Sequence, residues 1–232
     1  SSTKSILFKK NIKPKYFGSL AFRTVIKKED LKFINEKNIS LFLGPNIHLT
    51  AYPINIKNEI NLITIIRKNL DLRILNDGSF FSQTDNIRKL LEESSVRKND
   101  DLKNLFNNVK EIKCFPTFTS DKISQTKEKN IFFLGDALYA FLPTFAQGAS
   151  QSIESAYELF KALKEDNENS FRKYYDNRLK RITMINRRSK LNYFIFHISN
   201  PILVFFRNIV LKIVVKNKGF LNRYLGAIYL KS

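Results

Sequence analysis

A short apolar run that ends in a glycine and a carboxylate, followed by a long helical pattern, constrains the fold of this chain more than any other feature. Ile131 to Leu134 is continuously apolar and is closed by Gly135, which is typical of a strand buried on both faces. Asp136 follows directly, and apolar residues then recur at helical spacing at Ile153, Ala156, Tyr157, Phe160 and Leu163. We therefore predict a strand, a turn and a helix that begins near Gly148 and buries this apolar face.

The end of the predicted strand is a candidate ligand site. Ligands of α/β sheets bind beyond the carboxyl ends of the strands, so Asp136 is placed to accept hydrogen bonds from hydroxyl groups. Pro143, and then Gln147 with Gly148, interrupt regular structure before the helix, whose free N–H groups and positive dipole end are aimed at the same place. The residues alone leave one alternative open, an ordinary strand–loop–helix unit in which Asp136 serves only as a cap.

The chain before this unit changes from one periodicity to another. Short apolar runs separated by turns that contain Gly, Pro and Asn predict a strand-rich sheet; the runs are Leu20 to Ile26, Ser40 to Leu43, His48 to Ile54 and Ile60 to Ile66. Apolar residues three and four apart then predict helices over Asn86 to Leu91 and Asp100 to Val109. The whole pattern is that of a mixed α/β chain.

Composition narrows the classes of function. The 43% hydrophobic and 13% aromatic content of the 232 residues supports a packed core and excludes disorder. One cysteine, Cys114, and two distant histidines, His48 and His197, exclude an intramolecular disulfide and a multi-thiolate metal site and indicate a reducing compartment. The formal charge of +19 is a weak indication of nucleic-acid binding, because no zinc-finger, helix-turn-helix or single-strand-binding signature accompanies the scattered lysines.

Tyr193 to Val215 is the longest apolar stretch of the chain. Its His, Asn, Pro, Arg and Lys residues make it too polar for a membrane-spanning helix. We expect Pro201 to split the stretch into two amphipathic helices whose apolar faces pack on a domain, and a peripheral membrane contact is the alternative.

The segment from Gly135 to Ala156 resembles the second flavin-binding motif of the FAD-dependent aromatic-ring monooxygenases. The family pattern G-D-A-A-H-x-x-x-P-x-x-x-Q-G-x-N-x-x-x-E-D-A has counterparts here in Gly135, Asp136, Ala137, Pro143, Gln147, Gly148, Glu154 and Ala156. The salicylate hydroxylase-like branch matches best, since its L-P-x-x-A-Q-G-A-x-Q-x-I-E pattern is matched in register from Leu142 to Glu154. Departures from the pattern stand at Tyr139, Ser150 and Ser155, where His, Asn and Asp are usual.

Other stretches carry the same resemblance. Ser1 and Lys4 resemble the close of the family's D-G-x-x-S-x-x-R motif, with lysine in the place of arginine. Tyr16 to Arg23 resembles the Y-x-G-x-x-A-F-R strand, and Leu43 to Pro53 resembles the L-G-P-x-x-H-x-x-x-Y-P stretch. The arginine-rich helix and F-H pair that end many relatives are matched by Tyr175, Arg178, Arg181, Arg187, Ser189, Phe196 and His197.

By this resemblance the chain has a p-hydroxybenzoate hydroxylase-like α/β flavoprotein fold. The implied activity is that of a cytoplasmic FAD-dependent monooxygenase, which hydroxylates a small aromatic substrate with O2 and NADH or NADPH through a flavin hydroperoxide. The alternative is an inactive basic remnant of the fold that binds membrane or nucleic-acid surfaces. The resemblance implies no metal site and leaves the oligomeric state open.

The glycines bear on the extent of the resemblance. None of the seven is spaced as G-x-G, so the loop that binds the ADP part of FAD in relatives has no counterpart, and we expect the chain to be a C-terminal portion of a longer polypeptide. The expected segments are the tail of the FAD-binding domain (1–15), a strand-rich substrate domain (16–120), the FAD-binding domain with its motif and helix (121–169) and a helical region (170–232).

The resemblance also implies cofactor-binding roles for individual residues. Asp136, next to Gly135, would hydrogen-bond the ribityl chain of FAD. The turn at Gln147, with Gly148 and Ala149 at the helix start, would place backbone N–H groups near the pyrimidine end of the flavin, where negative charge develops on reduction.

A second group of residues is expected on the substrate side. His48 and Tyr52, four apart on a strand, point to one face and would bind or deprotonate a phenolic substrate, and Pro143 would shape the wall between flavin and substrate. Arg23 would contact the flavin or a substrate carboxylate. The alternatives are a half-buried His and Tyr that satisfy local hydrogen bonds and a surface arginine at a strand edge; His197 and Cys114 are expected to be structural.

Overall fold

The computed structural model describes residues 14–30, 38–54, 58–98, 100–120, 122–123, 131–165 and 167–229. Ser1 and Lys4, matched above to the serine and arginine positions of a family motif, lie outside the described residues.

Within the described residues, strands form one sheet in the order β2-β3-β4-β1-β5. The strands are β1 (Lys15–Lys27), β2 (Ser40–Gly44), β3 (Ile47–Pro53), β4 (Glu59–Arg67) and β5 (Lys113–Thr119). Antiparallel ladders join β2 to β3, β3 to β4, and β4 to β1. The apolar runs predicted as strands are confirmed, because each one falls within β1, β2, β3 or β4 apart from a residue at an end.

Helices follow the first four strands and occupy most of the chain after β5. They are α1 (Leu72–Asn76), α2 (Thr84–Glu92), α3 (Asp100–Asn108), α4 (Gly135–Leu138), α5 (Gln147–Glu165), α6 (Glu168–Phe196), α7 (Pro201–Val214) and α8 (Lys218–Tyr229). Single 3-10 turns lie at Lys28–Asp30, Phe80–Ser82, Ser95–Lys98 and Pro143–Phe145. The two helices predicted between β4 and β5 are confirmed as α2 and α3, and the mixed α/β fold class is confirmed with them.

The sheet has one face covered by helices and a second face with different side chains. Alternation along the strands places Leu20, Leu49 and Leu62 on the covered face, where they form the main core with Ile87 and Leu90 of α2. Because β3, β4 and β1 are in antiparallel register, the other face carries the polar side chains expected at a site, among them Arg23, His48 and Tyr52.

The strand predicted at Ile131 to Leu134 is wrong as a strand, although its apolar character on both sides is correct. Phe133 packs with Leu138 and Tyr139, while Phe132 and Leu134 pack on a second cluster that contains Leu159. The segment is extended but has no ladder, because no strand of the described residues lies beside it to exchange hydrogen bonds.

The buried face predicted for α5 is also wrong. Among the predicted residues, Ile153 is 72% exposed and Phe160 is 54% exposed, and Tyr157 and Leu163 are exposed as well. The helix instead buries a different stripe that contains both polar and apolar residues, namely Gln147, Gln151, Ser155, Leu159 and Ala162. Polar groups occupy the inward face because an arginine of α6 is buried against it, as described below.

The C-terminal helices are divided as predicted but are packed differently. Pro201 begins α7, and the side chain of Asn200 accepts hydrogen bonds from the N–H groups of Ile202 and Leu203 as an N-cap. The expectation that the apolar face of α7 packs on a domain is wrong, since Phe205 and Phe206 are exposed. In the described part of the chain, no helix combines the length and the apolar character needed to cross a bilayer.

Contacts divide the chain into two compact units. Unit 1 comprises 1–17 and 117–193, and unit 2 comprises 18–116 and 194–232. Unit 1 therefore contains α4, α5 and most of α6, whereas unit 2 contains most of the sheet with α1 to α3, α7 and α8. The four segments expected from the resemblance stay a prediction.

Candidate functional site

Gly135 is the residue that lets the motif of unit 1 close on helix α5. Its φ is +54°, a conformation that favours glycine, and a Cβ at this position would lie 2.7 Å from the Ser152 hydroxyl oxygen. That hydroxyl in turn donates a 2.9 Å hydrogen bond to the carbonyl of Gly148 in the first turn of α5. The contacts place Asp136 beside the N-terminal turns of α5.

The groups that could bind a ligand at this place are accessible to solvent. The Asp136 side chain is exposed, as is Ala149. Among the described residues, apart from the neighbouring backbone of α5 itself, nothing lies within 4 Å of the position that a Cβ of Gly148 would occupy. Because the first N–H groups of a helix have no intrahelical acceptor, the start of α5 offers donors and the positive dipole end next to an exposed carboxylate. The pair can therefore bind a ligand that has hydroxyl groups and an electron-rich, partly anionic end.

The approach to α5 is fixed by backbone geometry. Pro143 begins the 3-10 turn, and Ala146 has a left-handed φ of 53°, which reverses the chain into the helix. The hydroxyl of Thr144 donates a 3.1 Å hydrogen bond to the carbonyl of Ser189 on α6. Gln147 is buried at the start of the helix, where its side chain supports the turn.

A buried polar network holds the Gln147 turn from behind. The Gln151 amide nitrogen donates to the Gln147 side-chain oxygen at 3.1 Å. Arg178 of α6, which is fully buried, donates to the Gln151 side-chain oxygen at 2.6 Å and to the Glu154 carboxylate at 2.7 Å. Arg181 also donates to Glu154, at 3.1 Å. The network therefore connects α6 through α5 to the turn of the candidate site.

The charges of this network compensate one another. Burial raises the pKa of Glu154, but the hydrogen bonds and charges of Arg178 and Arg181 outweigh burial and hold that pKa below its usual value. A second carboxylate, Glu158, lies 3.4 Å from Arg178. Gln151, Glu154 and both arginines match residues of the family patterns, but the sequence alone predicted no role for them. The available signal was the four-residue spacing of Gln147, Gln151 and Ser155, which gives α5 a polar stripe.

In unit 2, His48 lies on the predicted face of β3 but is covered. Its Nδ1 is 2.8 Å from Nε2 of His197, and the ring of Phe196 lies edge-on at 5.2 Å. His48 and His197 are 3% and 1% exposed. Burial lowers the pKa of His48 to about 4, and burial with the charges of His48 and Arg67 lowers the pKa of His197 to about 3. Both imidazoles are therefore neutral near pH 7, and one donates its proton to the other.

Only part of this sheet face is open, because Arg23 is exposed and Tyr52 is half-buried, whereas Ser19, Ala21 and Ile65 are buried. Tyr52 pairs with Asn61 across the β3–β4 ladder, and Arg23 pairs with Ile63 across the β1–β4 ladder. Arg23 is exposed, and its guanidinium carbon lies 5.8 Å from the centre of the Phe115 ring. A guanidinium beside an aromatic ring on the open part of a sheet face can bind a planar ligand that carries a carboxylate.

The structure groups the predicted site residues by unit. Unit 1 contains Gly135, Asp136, Pro143, Gln147, Gly148 and Ala149, and in unit 2 the strands place Arg23, His48 and Tyr52 on one sheet face. Two residues expected to be structural are buried. Cys114 lies in the main core, where burial raises the pKa of its thiol to about 12, and His197 pairs with His48.

Comparisons with known proteins agree with the resemblance. The sequence matches no protein-family model. It is 25% identical over 193 residues to a 3-amino-4-hydroxybenzoate 2-monooxygenase of Streptomyces platensis, a match that covers 80% of this chain and 46% of that protein. Klebsiella pneumoniae HpxO complexed with FAD and uric acid superposes with a TM-score of 0.71 and 14% identity, over 98% of this chain and 57% of that chain. A salicylate hydroxylase substrate complex superposes with a TM-score of 0.66 and 18% identity, over 87% and 54%.

The chain spans about half the length of the curated relatives that it matches. Its resemblance to the FAD-dependent aromatic-ring monooxygenases is confirmed, and its fold is that of the FAD-dependent hydroxylases over the part that it spans.

Proposed function

We propose that this chain, which has the fold of the FAD-dependent aromatic hydroxylases, belongs to an FAD-dependent monooxygenase that hydroxylates a small aromatic substrate with O2 and NADH or NADPH. The observation that carries the proposal is the packing of Gly135 on Ser152, which sets the exposed Asp136 carboxylate beside the open start of α5. A carboxylate next to a helix N-terminus suits a polyol chain joined to a ring system that becomes anionic on reduction.

The residues present fit the flavin half of FAD. Asp136 would accept hydrogen bonds from the ribityl hydroxyl groups, and the N–H groups of Gly148 and Ala149 would face the pyrimidine end of the ring. The space beside Gly148 lets the backbone approach a flat ligand closely, which a side chain would prevent. When bound, FAD supplies the redox chemistry by taking a hydride from the pyridine nucleotide and activating O2.

The open part of the unit 2 sheet face is the proposed substrate side. Arg23 would bind a substrate carboxylate, the Phe115 ring would contact the aromatic ring, and Tyr52 would hydrogen-bond a phenolic oxygen. His48 is buried on His197, so we assign it the role of supporting β3 near Tyr52 instead of proton transfer to the substrate. Pro143, which begins the 3-10 turn before α5, would lie against the flavin ring. Relatives named for 3-amino-4-hydroxybenzoate and salicylate support a hydroxylated or aminated benzoate as the substrate class.

The proposed compartment is the cytoplasm. Both pyridine nucleotides are available there, and the single cysteine, Cys114, is buried as a free thiol, as a reducing environment permits.

Binding of three flavins to the 232-residue chain tests the cofactor assignment. Because no two glycines of the chain are spaced as G-x-G, the ADP part of FAD should add little to the affinity. Riboflavin, FMN and FAD, followed by the quenching of their fluorescence on binding, should therefore have dissociation constants within a factor of about three of one another. Asp136→Ala should weaken all three about tenfold through loss of one charge-assisted hydrogen bond. Asp176→Ala, which removes another exposed carboxylate, is the matched control. FAD binding tenfold tighter than riboflavin would contradict the assignment.

Hydroxylation is tested in the polypeptide that contains this chain. With 18O2, a hydroxybenzoate should gain one labelled oxygen atom and stimulate the oxidation of NADH or NADPH. Arg23→Gln should raise KM for a benzoate far more than for the corresponding phenol without a carboxylate, because only the benzoate loses an ion pair. Equal changes in KM for the two substrates would show that Arg23 does not bind the substrate carboxylate.

A further inference from the structure

Helix α7 turns an unbroken apolar face to solvent. The seven side chains of this face are between 41% and 67% exposed; they are Ile202, Leu203, Phe205, Phe206, Ile209, Val210 and Ile213. At 100° per residue they span a little under half of the circumference, and no polar residue stands among them. We call them the α7 face. Contiguous exposed apolar surface of this kind marks interaction sites, because monomeric proteins rarely leave it uncovered.

The polarity of α7 is inverted relative to an ordinary surface helix. The inward side carries the only arginine of the helix, Arg207, which is 8% exposed. Its guanidinium donates to the Asn208 side chain at 3.1 and 3.0 Å and to the carbonyl of Ile195 at 3.5 Å. A helix that buries its arginine and exposes two phenylalanines is not arranged for contact with water.

The charges along the sequence that carries the α7 face have one sign. From Phe194 to the C-terminus the sequence contains six Lys or Arg residues and no Asp or Glu. Lys212 borders the face within α7, and Lys216 and Lys218 follow at the end of the helix, all three exposed. A basic rim around an apolar face complements a surface that is negatively charged and apolar beneath, which describes an anionic lipid bilayer.

We propose that α7 docks this protein on an anionic bilayer, lying in the membrane plane with the α7 face among the acyl chains and the lysines at the phosphates. Its 14 residues are too short to span a bilayer, which takes about 20. A second copy of the chain fits the same face less well, because pairing two identical basic rims sets like charges against each other. A specific protein partner also fits less well, because the face offers none of the hydrogen-bonding groups that such interfaces use.

A tryptophan reporter tests the proposal directly, since the chain contains no tryptophan. Phe206→Trp places a reporter in the α7 face, and Phe160→Trp places one at a matched exposure on α5, the two phenylalanines being 57% and 54% exposed. The control helix carries Glu154, Glu158 and Glu165, and Lys164 lies over the Phe160 ring, so α5 should not enter lipid. With phosphatidylcholine vesicles that contain phosphatidylglycerol, only the Phe206→Trp emission should shift to shorter wavelength and be quenched by brominated lipid.

Charge variants separate lipid electrostatics from apolar adhesion. Lys212→Gln with Lys216→Gln should reduce partitioning into the anionic vesicles by about fivefold per lysine and leave the weaker binding to pure phosphatidylcholine unchanged. Phe205→Ser with Phe206→Ser should abolish sedimentation with both kinds of vesicle. Both pairs of positions are exposed, so the fold should be kept, as circular dichroism would show.

Three results would overturn the proposal. The first is no response of the Phe206→Trp reporter to anionic vesicles. The second is an equal response of both reporters, which would mean non-specific adhesion. The third is a Phe206→Trp emission that is already shifted without lipid and that depends on protein concentration, which would assign the α7 face to a second copy of the chain.

Discussion

The two units bury polar groups in opposite ways. Unit 1 buries full charges and compensates them, with Arg178 completely enclosed between Glu154, Glu158 and Gln151. Unit 2 buries the pair of His48 and His197, whose lowered pKa values keep them uncharged near neutral pH. The arrangement in unit 1 is stable only while every charged partner is present. The arrangement in unit 2 is stable only while neither histidine gains a second ring proton.

This difference explains what each arrangement can support. A compensated ion network has directional hydrogen bonds, so it can fix the Gln147 turn and the start of α5 at defined positions. A neutral imidazole pair fills space on the sheet face and is joined by a hydrogen bond between the two rings, so it stabilises β3 without placing a charge beside a substrate. Removal of a partner should therefore harm unit 1, and acid should harm unit 2.

The largest effect is expected from Arg178→Met. The substitution keeps most of the volume but leaves Glu154 and Glu158 without their buried counter-charge, at a cost of about 3–5 kcal/mol in the free energy of unfolding. Hydrogen exchange measured by mass spectrometry should show faster exchange in α5 and α6 and little change in β3 and β4. Arg181→Met, which removes the more exposed arginine of the network, is the control and should cost much less. Equal costs would show that charge compensation does not hold unit 1.

An effect of similar size is expected from acid between about pH 6.5 and pH 5. The folded pKa values of both histidines lie below the ordinary value of 6.5, so the unfolded state binds more protons between about pH 6.5 and pH 4. The stability from this pair is complete above pH 6.5 and is lost as the pH falls toward 4, by roughly 1.4 kcal/mol per pH unit for each histidine. Glu154, whose pKa is lowered from its ordinary value of 4.5, keeps its contribution until the pH falls to about 4.5.

Exchange rates corrected for intrinsic pH dependence measure this prediction. Peptides from β3 and β4 should lose protection between pH 6.5 and pH 5, and peptides from α5 should keep it. His48→Gln retains a hydrogen-bonding group and removes one titrating site, so it should roughly halve the slope. Loss of protection in both units together at pH 5 would contradict the prediction that acid destabilises unit 2 and leaves unit 1 stable.

A third effect, on local packing in unit 1, separates two glycines of the motif. Gly135→Ala should destabilise by about 1–3 kcal/mol, because its φ is positive and the new methyl group would meet Ser152. Gly148→Ala, in a helix with open space beside it, should stabilise by roughly 0.5–1 kcal/mol. Thermal unfolding measures both. If flavin binds where we propose, Gly148→Ala should also weaken riboflavin binding, which separates the site from the stability.

The sequence predicted the sheet well because its strands alternate strongly and end in turns. The runs that begin at Leu20, Ser40, His48 and Ile60 all lie in strands, and Pro201 divides the C-terminal helices as expected. The motif also indicated that Asp136 lies near the start of α5, because the glycine at position 135 permits the close approach of this turn to the helix. Local signals of this kind depend on residues near in sequence.

The sequence could not predict which side of a helix is buried when the inward groups are polar. The apolar stripe of α5 at Ile153 and Phe160 met the usual pattern of a buried face, but Arg178, far along the chain, determines that Gln151 and Ser155 turn inward. The same failure occurred at α7, where Arg207 turns inward. His48 was placed on the correct face, but its cover by His197 depends on a contact across 149 positions.

The smallest effect is expected from the second buried arginine, and it tests whether compensation is what separates the units. Arg207 in unit 2 is nearly as buried as Arg178, but its hydrogen bonds within the described residues go to Asn208 and to the carbonyl of Ile195, neither of which is charged. Burial lowers its pKa, so the charged form pays for desolvation without an ion pair. Arg207→Met should therefore either leave the free energy of unfolding within about 1 kcal/mol of its original value or raise it. Urea unfolding beside Arg178→Met gives the contrast, and a loss from Arg207→Met as large as that from Arg178→Met would mean that unit 2 also depends on a buried charge.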